Sequence, residues 1–295
     1  MARILKDLVL VVTGASSGIG RATALVAARA GMDVVVSGRR AERLQRVVEE
    51  IHAIGRRAVA VEGDVAEPGF SSRLLDQAER AMGRFDVVFA NAGYGAERRV
   101  LDFSDAELRR MFEVNFFSAT ELVSEAARRM IVRRTSGHVL MCSSCVARFT
   151  LPGYGPYAAT KAAQAMIGRS MRYELREHGI EVSTVHPVAT STEFFEVAVR
   201  GEGTNGASAR GANGTKGGTG TPTTAGHVPS FIVQSPERVA RAVIACLRRP
   251  RAEVWTSFPA RVGAGLFTTF PWLADFFLEP QLKHLPPTRG QSAER

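Results

Sequence analysis

Tyr157 and Lys161, four apart in Tyr157-Ala-Ala-Thr-Lys161, are residues whose types and spacing suit proton transfer. The stretch reads as helical, and that separation puts both side chains on one face. A free phenol has a pKa of ~10, too high for a good base near neutrality. Lowering it by three units requires about 4 kcal/mol, which a cation ~4 Å away at an effective dielectric of ~20 supplies. Lys161 is thus sufficient in principle. The bland alternative is a surface tyrosine stacked on a lysine stem, and Y-x-x-x-K by itself arises by chance in many chains.

A second constellation suits phosphate. Thr13-Gly14-Ala15-Ser16-Ser17-Gly18-Ile19-Gly20 lies between a short apolar run at 8–12 and a helical pattern at 19–30. Glycines there let the backbone turn tightly and approach a pyrophosphate, and the helix start offers free N–H groups. The spacing is G-x-x-x-G-x-G, not the G-x-G-x-x-G of the usual dinucleotide fingerprint. A loop without a ligand is the alternative, and the strand–helix junction argues against it. NAD sites place a carboxylate at the end of the second strand. Here that stretch is Val36-Ser37-Gly38-Arg39-Arg40, with two guanidiniums and no carboxylate. Either arginine suits a 2′-phosphate. The alternative, solvated charges at a helix start, is mildly opposed by the helix dipole.

These residues need a scaffold, and the pattern supplies one. Strands are predicted at 8–12, 33–37, 58–61, 87–90, 139–142 and 182–186, with a last one at 253–256. Val34-Val35-Val36, Val87-Val88-Phe89 and Val139-Leu140-Met141 suit strands buried on both faces. Helices are predicted at 19–30 and 41–54. Another opens at the capping box Ser104-Asp-Ala-Glu107 and runs to about residue 133. One more starts at Ser235-Pro-Glu-Arg. The alternation implies an α/β, Rossmann-type doubly wound parallel sheet with helices on both faces, in a single domain. Residues 1–260 are read as the cofactor-binding catalytic domain. Within it, 201–230 is a flexible low-complexity loop, since Gly, Thr, Ala, Asn and Ser cannot bury enough surface to order it. Residues 261–295 form an apolar tail. Its stretch 262–278 is shorter than the ~20 residues of a spanning helix. It is expected to pack on the core or a second subunit, with a peripheral membrane contact as the sharper alternative.

Composition narrows the partners. The chain has 295 residues and a formal charge of +9, carried almost wholly by arginine, with lysine only at 6, 161, 216 and 283. The arginines are scattered and form no aromatic-interleaved stripe, which argues against nucleic acid. Three cysteines exclude a disulfide framework and suit a reducing compartment. The N-terminus lacks a signal-peptide pattern, so a cytoplasmic location is expected. Cys142-Ser-Ser-Cys145 has redox spacing but begins inside a strand, so its thiols are expected to be structural. His186 reads as a strand-end residue. No residue is assigned to a metal.

Taken together, Thr13–Gly20, Asn91-Ala92-Gly93, Asn115, Ser144 and Tyr157/Lys161 resemble, in order and rough spacing, the short-chain dehydrogenase/reductase family. The resemblance covers residues 6–194 and the helix from Ser235. It implies an oxidoreductase with NADP(H), acting on a ketone, aldehyde or alcohol, and a homodimer or homotetramer. Ser144 would hydrogen-bond the substrate oxygen, and its neighbour Ser143 fits the spacing less well. Tyr157 would pass the proton. Lys161 would lower the phenol pKa and bind ribose hydroxyls. Asn115 would hold a water in a relay to Lys161. For the cofactor it implies Gly14, Ser16, Ser17, Gly18, Ile19 and Gly20 in the loop. Asp64, with Val65, would meet the adenine. Asn91, Ala92 and Gly93 would line the adenosine side, Thr192 would contact the carboxamide, and Pro187 lies beside it. The family's Pro-Gly is here Pro187-Val188, a departure near the nicotinamide position. Phe149, Leu151 and Tyr154, with the tail, suggest a hydrophobic substrate. Two alternatives stand: a catalytically silent NADP-binding regulator, and a sugar-nucleotide epimerase or dehydratase. The intact Ser144/Tyr157/Lys161 set opposes the first, and the short tail opposes the second.

Overall fold

A computed structural model of the chain describes residues 2–190 and 233–280. The loop expected at 201–230 and the carboxamide contact expected of Thr192 lie outside the described residues. Seven parallel strands form one sheet: β1 (Val9–Thr13), β2 (Asp33–Gly38), β3 (Ala58–Glu62), β4 (Val87–Ala90), β5 (Gly137–Cys142), β6 (Ile180–His186) and β7 (Glu253–Trp255). Their spatial order is β3-β2-β1-β4-β5-β6-β7. β5 and β6 each begin two residues earlier than the apolar runs suggest, because Gly137 pairs with Ile180.

Helices α1 (Gly18–Arg29), α2 (Ala41–Ala53), α3 (Phe70–Met82), α4 (Asp105–Phe112), α5 (Ser118–Val132), α6 (Gly155–Glu174) and α7 (Pro236–Arg248) cover the sheet. Side chains alternate across each strand. Leu10 and Val12 of β1 join the core under α1, α2 and α7, with Leu44, Val47 and Val243. Val9 and Val11 join the opposite core, with Leu74, Val123 and Met171. Each such fully buried side chain contributes about 1.5–3 kcal/mol relative to exposure. Val-rich runs buried on both faces are therefore what makes the sheet parallel and covered. Helix α3 was not anticipated, although Phe70, Leu74, Leu75, Ala78 and Met82 are buried at helical spacing.

The helix expected from 104 to 133 is not continuous. The capping box opens α4, with Ser104 accepting from Glu107 N and the Glu107 carboxylate accepting from Ser104 N. After Phe112 the chain passes through one π-helical turn, Glu113–Phe117, before α5. Such turns arise where side chains engage the helical ladder. Here Asn115, fully buried, clasps the backbone of Tyr94 from inside the turn.

The tail forms two short helices, α8 (Phe258–Thr269) and α9 (Pro271–Leu278). Pro271 breaks them apart at the first position of α9. α8 docks beside the segment after β5, where Phe267 meets Phe149 edge-on and Thr268 Oγ1 donates to Arg148 O at 2.9 Å. Phe258, Val262, Leu266, Trp272 and Phe276 stay exposed. Among the described residues no helix is long and apolar enough to cross a membrane.

Candidate active site

The strand order reverses between β1 and β4, and in such sheets a crevice opens there, beyond the strands' carboxyl ends. Thr13, last in β1, holds the two edges together. Its Oγ1 accepts from Asn91 N and Ala92 N, both at 3.1 Å, while Asn91 Nδ2 donates to Thr13 O at 2.9 Å. Asn91 is thus chiefly a clamp on the switch point. Gly14 turns with φ +66, and at Gly20 a Cβ would lie 2.4 Å from Gly14 O and 2.7 Å from Asn91 Nδ2. The loop closes this tightly only because glycine stands at both places. The start of α1 carries no side-chain cap and no acid in its first turn. Its free N–H groups and dipole suit a pyrophosphate.

At the β2 end the two arginines differ. Arg40 spans the glycine loop, donating to Ser16 Oγ at 2.9 Å and to Ser17 Oγ at 2.7 Å. Arg39 makes no hydrogen bond or ion pair among the described residues. Asp64 is partly buried and accepts from Ala66 N at 3.0 Å and from Arg110 at 2.5 Å. Val65 lines a small cavity with Thr13 and Ala92. Ile19 packs against the core below the loop. The resemblance gives Gly93 to the adenosine side; in the structure it packs beside Asn115 and Lys161. A Cβ there would sit 3.0 Å from Asn115 Oδ1 and 3.3 Å from Lys161 Nζ.

The proton-transfer groups converge at the ends of β4 and β5. Lys161 is 3% exposed. Its Nζ donates to Cys142 O at 2.7 Å and to Gln164 Oε1 at 3.0 Å. Gln164 Nε2 donates in turn to Asn115 O at 2.6 Å. The Asn115 side chain is spent on Tyr94 and on Thr160 Oγ1. The resemblance gives Asn115 a water on the way to Lys161; among the described side chains, Gln164 bonds both the Asn115 carbonyl and Lys161 Nζ. Ser143 is fully committed, its hydroxyl donating to Lys161 O at 2.8 Å. Ser144 is partly exposed and hydrogen-bonds the Tyr157 phenol. The geometry therefore favours Ser144 over Ser143 as the residue open to a ligand.

Charge behaviour departs from the simple pairing of Tyr157 with Lys161. Burial pushes the phenol well above the usual tyrosine range, with the buried thiols Cys142 and Cys145 and Tyr154 adding to the rise and only the Ser144 hydrogen bond opposing it. The same burial brings the Lys161 ammonium down to about 8, against a smaller opposite pull from Cys142. Lys161 Nζ lies 5.6 Å from the Tyr157 ring centroid, engaged elsewhere. Desolvation thus acts against the charged form of both groups, raising the phenol and lowering the ammonium.

Other polar groups support the rim. His186 is buried, stacked on Trp255 at 4.7 Å, with Nδ1 3.0 Å from Ser144 O. Burial lowers its pKa. It braces the Ser144 turn as a neutral strand-end residue. Pro187 O accepts from Cys145 N at 2.9 Å. Val188 is buried, so the side chain that replaces the family glycine is packed rather than free in the crevice. All three cysteines are free, and burial pushes Cys145 up to about 11, the reverse of an activated thiol. Gln164 was missed in the sequence, although it lies one turn beyond Lys161 on the same helix face. Thr13 and Thr160 carried no signal beyond their motifs.

With this geometry in view, the comparisons with known proteins are consistent. The short chain dehydrogenase family model matches residues 8–202. Dehydrogenase/reductase SDR family member 7B of Bos taurus is 31% identical over 265 residues, spanning 88% of this chain and 76% of that one. L-rhamnose 1-dehydrogenase (NAD(P)(+)) of a Sphingomonas species is 35% identical over 193 residues, 65% of this chain and 76% of its own. A short chain dehydrogenase/reductase from Burkholderia phymatum, solved in complex with NAD, superposes with a TM-score of 0.79 at 24% identity, covering 92% of this chain and 96% of that one. The chain belongs to the short-chain dehydrogenase/reductase family of oxidoreductases, which bind a nicotinamide cofactor.

The Lys161 pKa gives a testable consequence. If the ammonium holds a bound dinucleotide, affinity falls as pH rises through about 8, because binding then requires proton uptake. Fluorescence titration with NADPH checks this; an affinity unchanged from neutrality to well above that pH contradicts it.

Proposed function

We propose that the chain is an NADP(H)-dependent oxidoreductase that interconverts a ketone or aldehyde and its alcohol. The observation that carries this reading is the meeting of Ser144, Tyr157 and Lys161 at one end of the switch-point crevice. A silent nucleotide binder has no use for all three. The residues suit the cofactor: the close Gly14–Gly20 contact and the uncapped start of α1 would hold the pyrophosphate, and Lys161 the nicotinamide ribose. When bound, the cofactor supplies or accepts the hydride and, oxidised, brings a positive charge to the site.

The protein's part is position and proton. In the reducing direction Ser144 Oγ–H donates a hydrogen bond to the carbonyl oxygen and orients it. The Tyr157 hydroxyl gives its proton to that oxygen as hydride reaches the carbonyl carbon. The phenolate left behind is stabilised by the positive charge of Lys161, and it takes a proton back from solvent water at its partly exposed side before the next turnover. Alcohol oxidation runs the same steps backwards. Phe149 and Leu151 favour a hydrophobic substrate; α8 adjoins the same segment through Phe267, which in turn packs against Phe277 of α9. Tyr154 adds a polar note, its hydroxyl donating to Glu97 at 3.0 Å. Free thiols suit the cytoplasm.

Arg39 favours NADP(H), since Arg40 is already tied to Ser16 and Ser17. NADPH should bind at least about tenfold more tightly than NADH, a difference of ~1.4 kcal/mol that one charge-assisted contact covers. Arg39→Ala should erase it. Equal affinities in the parent protein, or a preference retained in Arg39→Ala, would rule this assignment out.

Turnover of a panel of ketones, aldehydes and alcohols, followed by NADPH absorbance, tests the activity itself. Tyr157→Phe should cut turnover by roughly 10²–10⁴ while leaving NADPH affinity nearly intact. Normal turnover in that variant would remove Tyr157 from the mechanism.

A further inference from the structure

Every atom of the Gln164 side-chain amide is engaged, in a place where it shapes the active site without entering it. The residue is fully buried, as are Asn115 and Thr160 beside it. Its Nε2 donates to Asn115 O at 2.6 Å, in the π-helical turn between α4 and α5. That bond fixes which way the amide faces, since only an N–H end can meet a carbonyl. Its oxygen is thereby turned on Lys161 Nζ, 3.0 Å away. Cys142 O takes a second of the ammonium's three hydrogens at 2.7 Å. Two fixed acceptors leave one N–H, and Gly93 packs close beside the ammonium: a Cβ there would lie 3.3 Å from Nζ and 3.0 Å from Asn115 Oδ1, so only glycine leaves that side of Nζ uncovered.

We infer that Gln164 is a positioning residue: held in one orientation by the Asn115 carbonyl, its amide keeps Lys161 charged and aims the remaining ammonium hydrogen past Gly93 into the crevice. The π-helical turn has a role in this arrangement, because it presents the carbonyl that polarises the amide. The inference rests on the oxidoreductase reading only for the ribose contact given to Lys161; the bonds to Gln164 hold in the protein alone.

The titratable groups facing Lys161 among the described residues are the Cys142 thiol at the end of β5 and the Tyr157 phenol on α6. Asn115 and Gly93, from the other segments packed there, carry no charge. Lysine is unusually scarce in this chain, at Lys6, Lys161, Lys216 and Lys283 alone. Labelling lysine with ¹³C beside its amine therefore gives few signals, and the one lost in Lys161→Met is Lys161. Its titration can be followed by NMR without any substrate, so the result does not depend on the proposed activity.

Gln164→Leu removes the acceptor, and Lys161 should titrate about one pH unit lower than in the parent protein. NADPH affinity should weaken by about tenfold as the ammonium loses its aim. Gln164→Glu keeps the shape and adds a negative charge, so the titration should move upward instead. A purely structural glutamine would leave the Lys161 titration in place in both variants. If Gln164→Leu fails to fold, Gln164→Glu decides. An unmoved or downward titration in Gln164→Glu overturns the inference, as does a folded Gln164→Leu with parent-like titration and NADPH affinity.

Discussion

A lysine ammonium buried among apolar strands is the constraint around which this protein is built. Stripped of water, such a charge is costly unless oxygens replace its hydration. Lys161 finds them at the end of β5 and on its own helix, at Cys142 O and Gln164 Oε1. Gln164 is oriented by Asn115, and Asn115 is held by Tyr94 and Thr160. The break between α4 and α5, the segment after β4 and the start of α6 thus meet at one cation. Residual imbalance shows in the ammonium's pKa, brought down to about 8 by burial.

The same burial explains why the phenol waits for a partner. Tyr157 is partly buried and Lys161 fully so, and desolvation raises one group as it lowers the other. With Lys161 turned towards Cys142 and Gln164, the proposed reaction would draw on two positive charges near Tyr157, that of Lys161 and that of an oxidised nicotinamide cofactor. The crevice has the matching asymmetry: Gly14, Gly20 and the start of α1 at the phosphate end, and Ser144, Tyr157 and Lys161 at the other.

Much of this was legible in the sequence, for identifiable reasons. Strands buried on both faces write themselves as runs such as Val34-Val35-Val36, and the glycine loop occupies its expected junction. Ser235 and Pro236 open α7 as their types predict. What was hidden depends on tertiary contacts. The interruption at Asn115 comes from Tyr94, twenty-one residues away, which no local periodicity records. Gln164 looked like one polar residue on a helix until its second partner, the Asn115 carbonyl, arrived from the turn between α4 and α5. Arg39 and Arg40 were equivalent in sequence and became distinct only once Ser16 and Ser17 were brought to Arg40. Spacing reveals a nearby charge but not the loss of water around both groups, which raises the phenol in the free protein.

The most direct measurement of the central claim is the ionisation of Tyr157 itself. The chain holds four tyrosines, so the ultraviolet difference titration of tyrosinate, corrected with Tyr157→Phe, isolates this phenol. In the free protein the Tyr157 signal should appear only at pH well above the ordinary tyrosine range. Saturation with NADP⁺ should move it down towards neutrality, as expected of a group poised to give and take a proton. A Tyr157 titration at the same high pH with and without NADP⁺ would contradict the account.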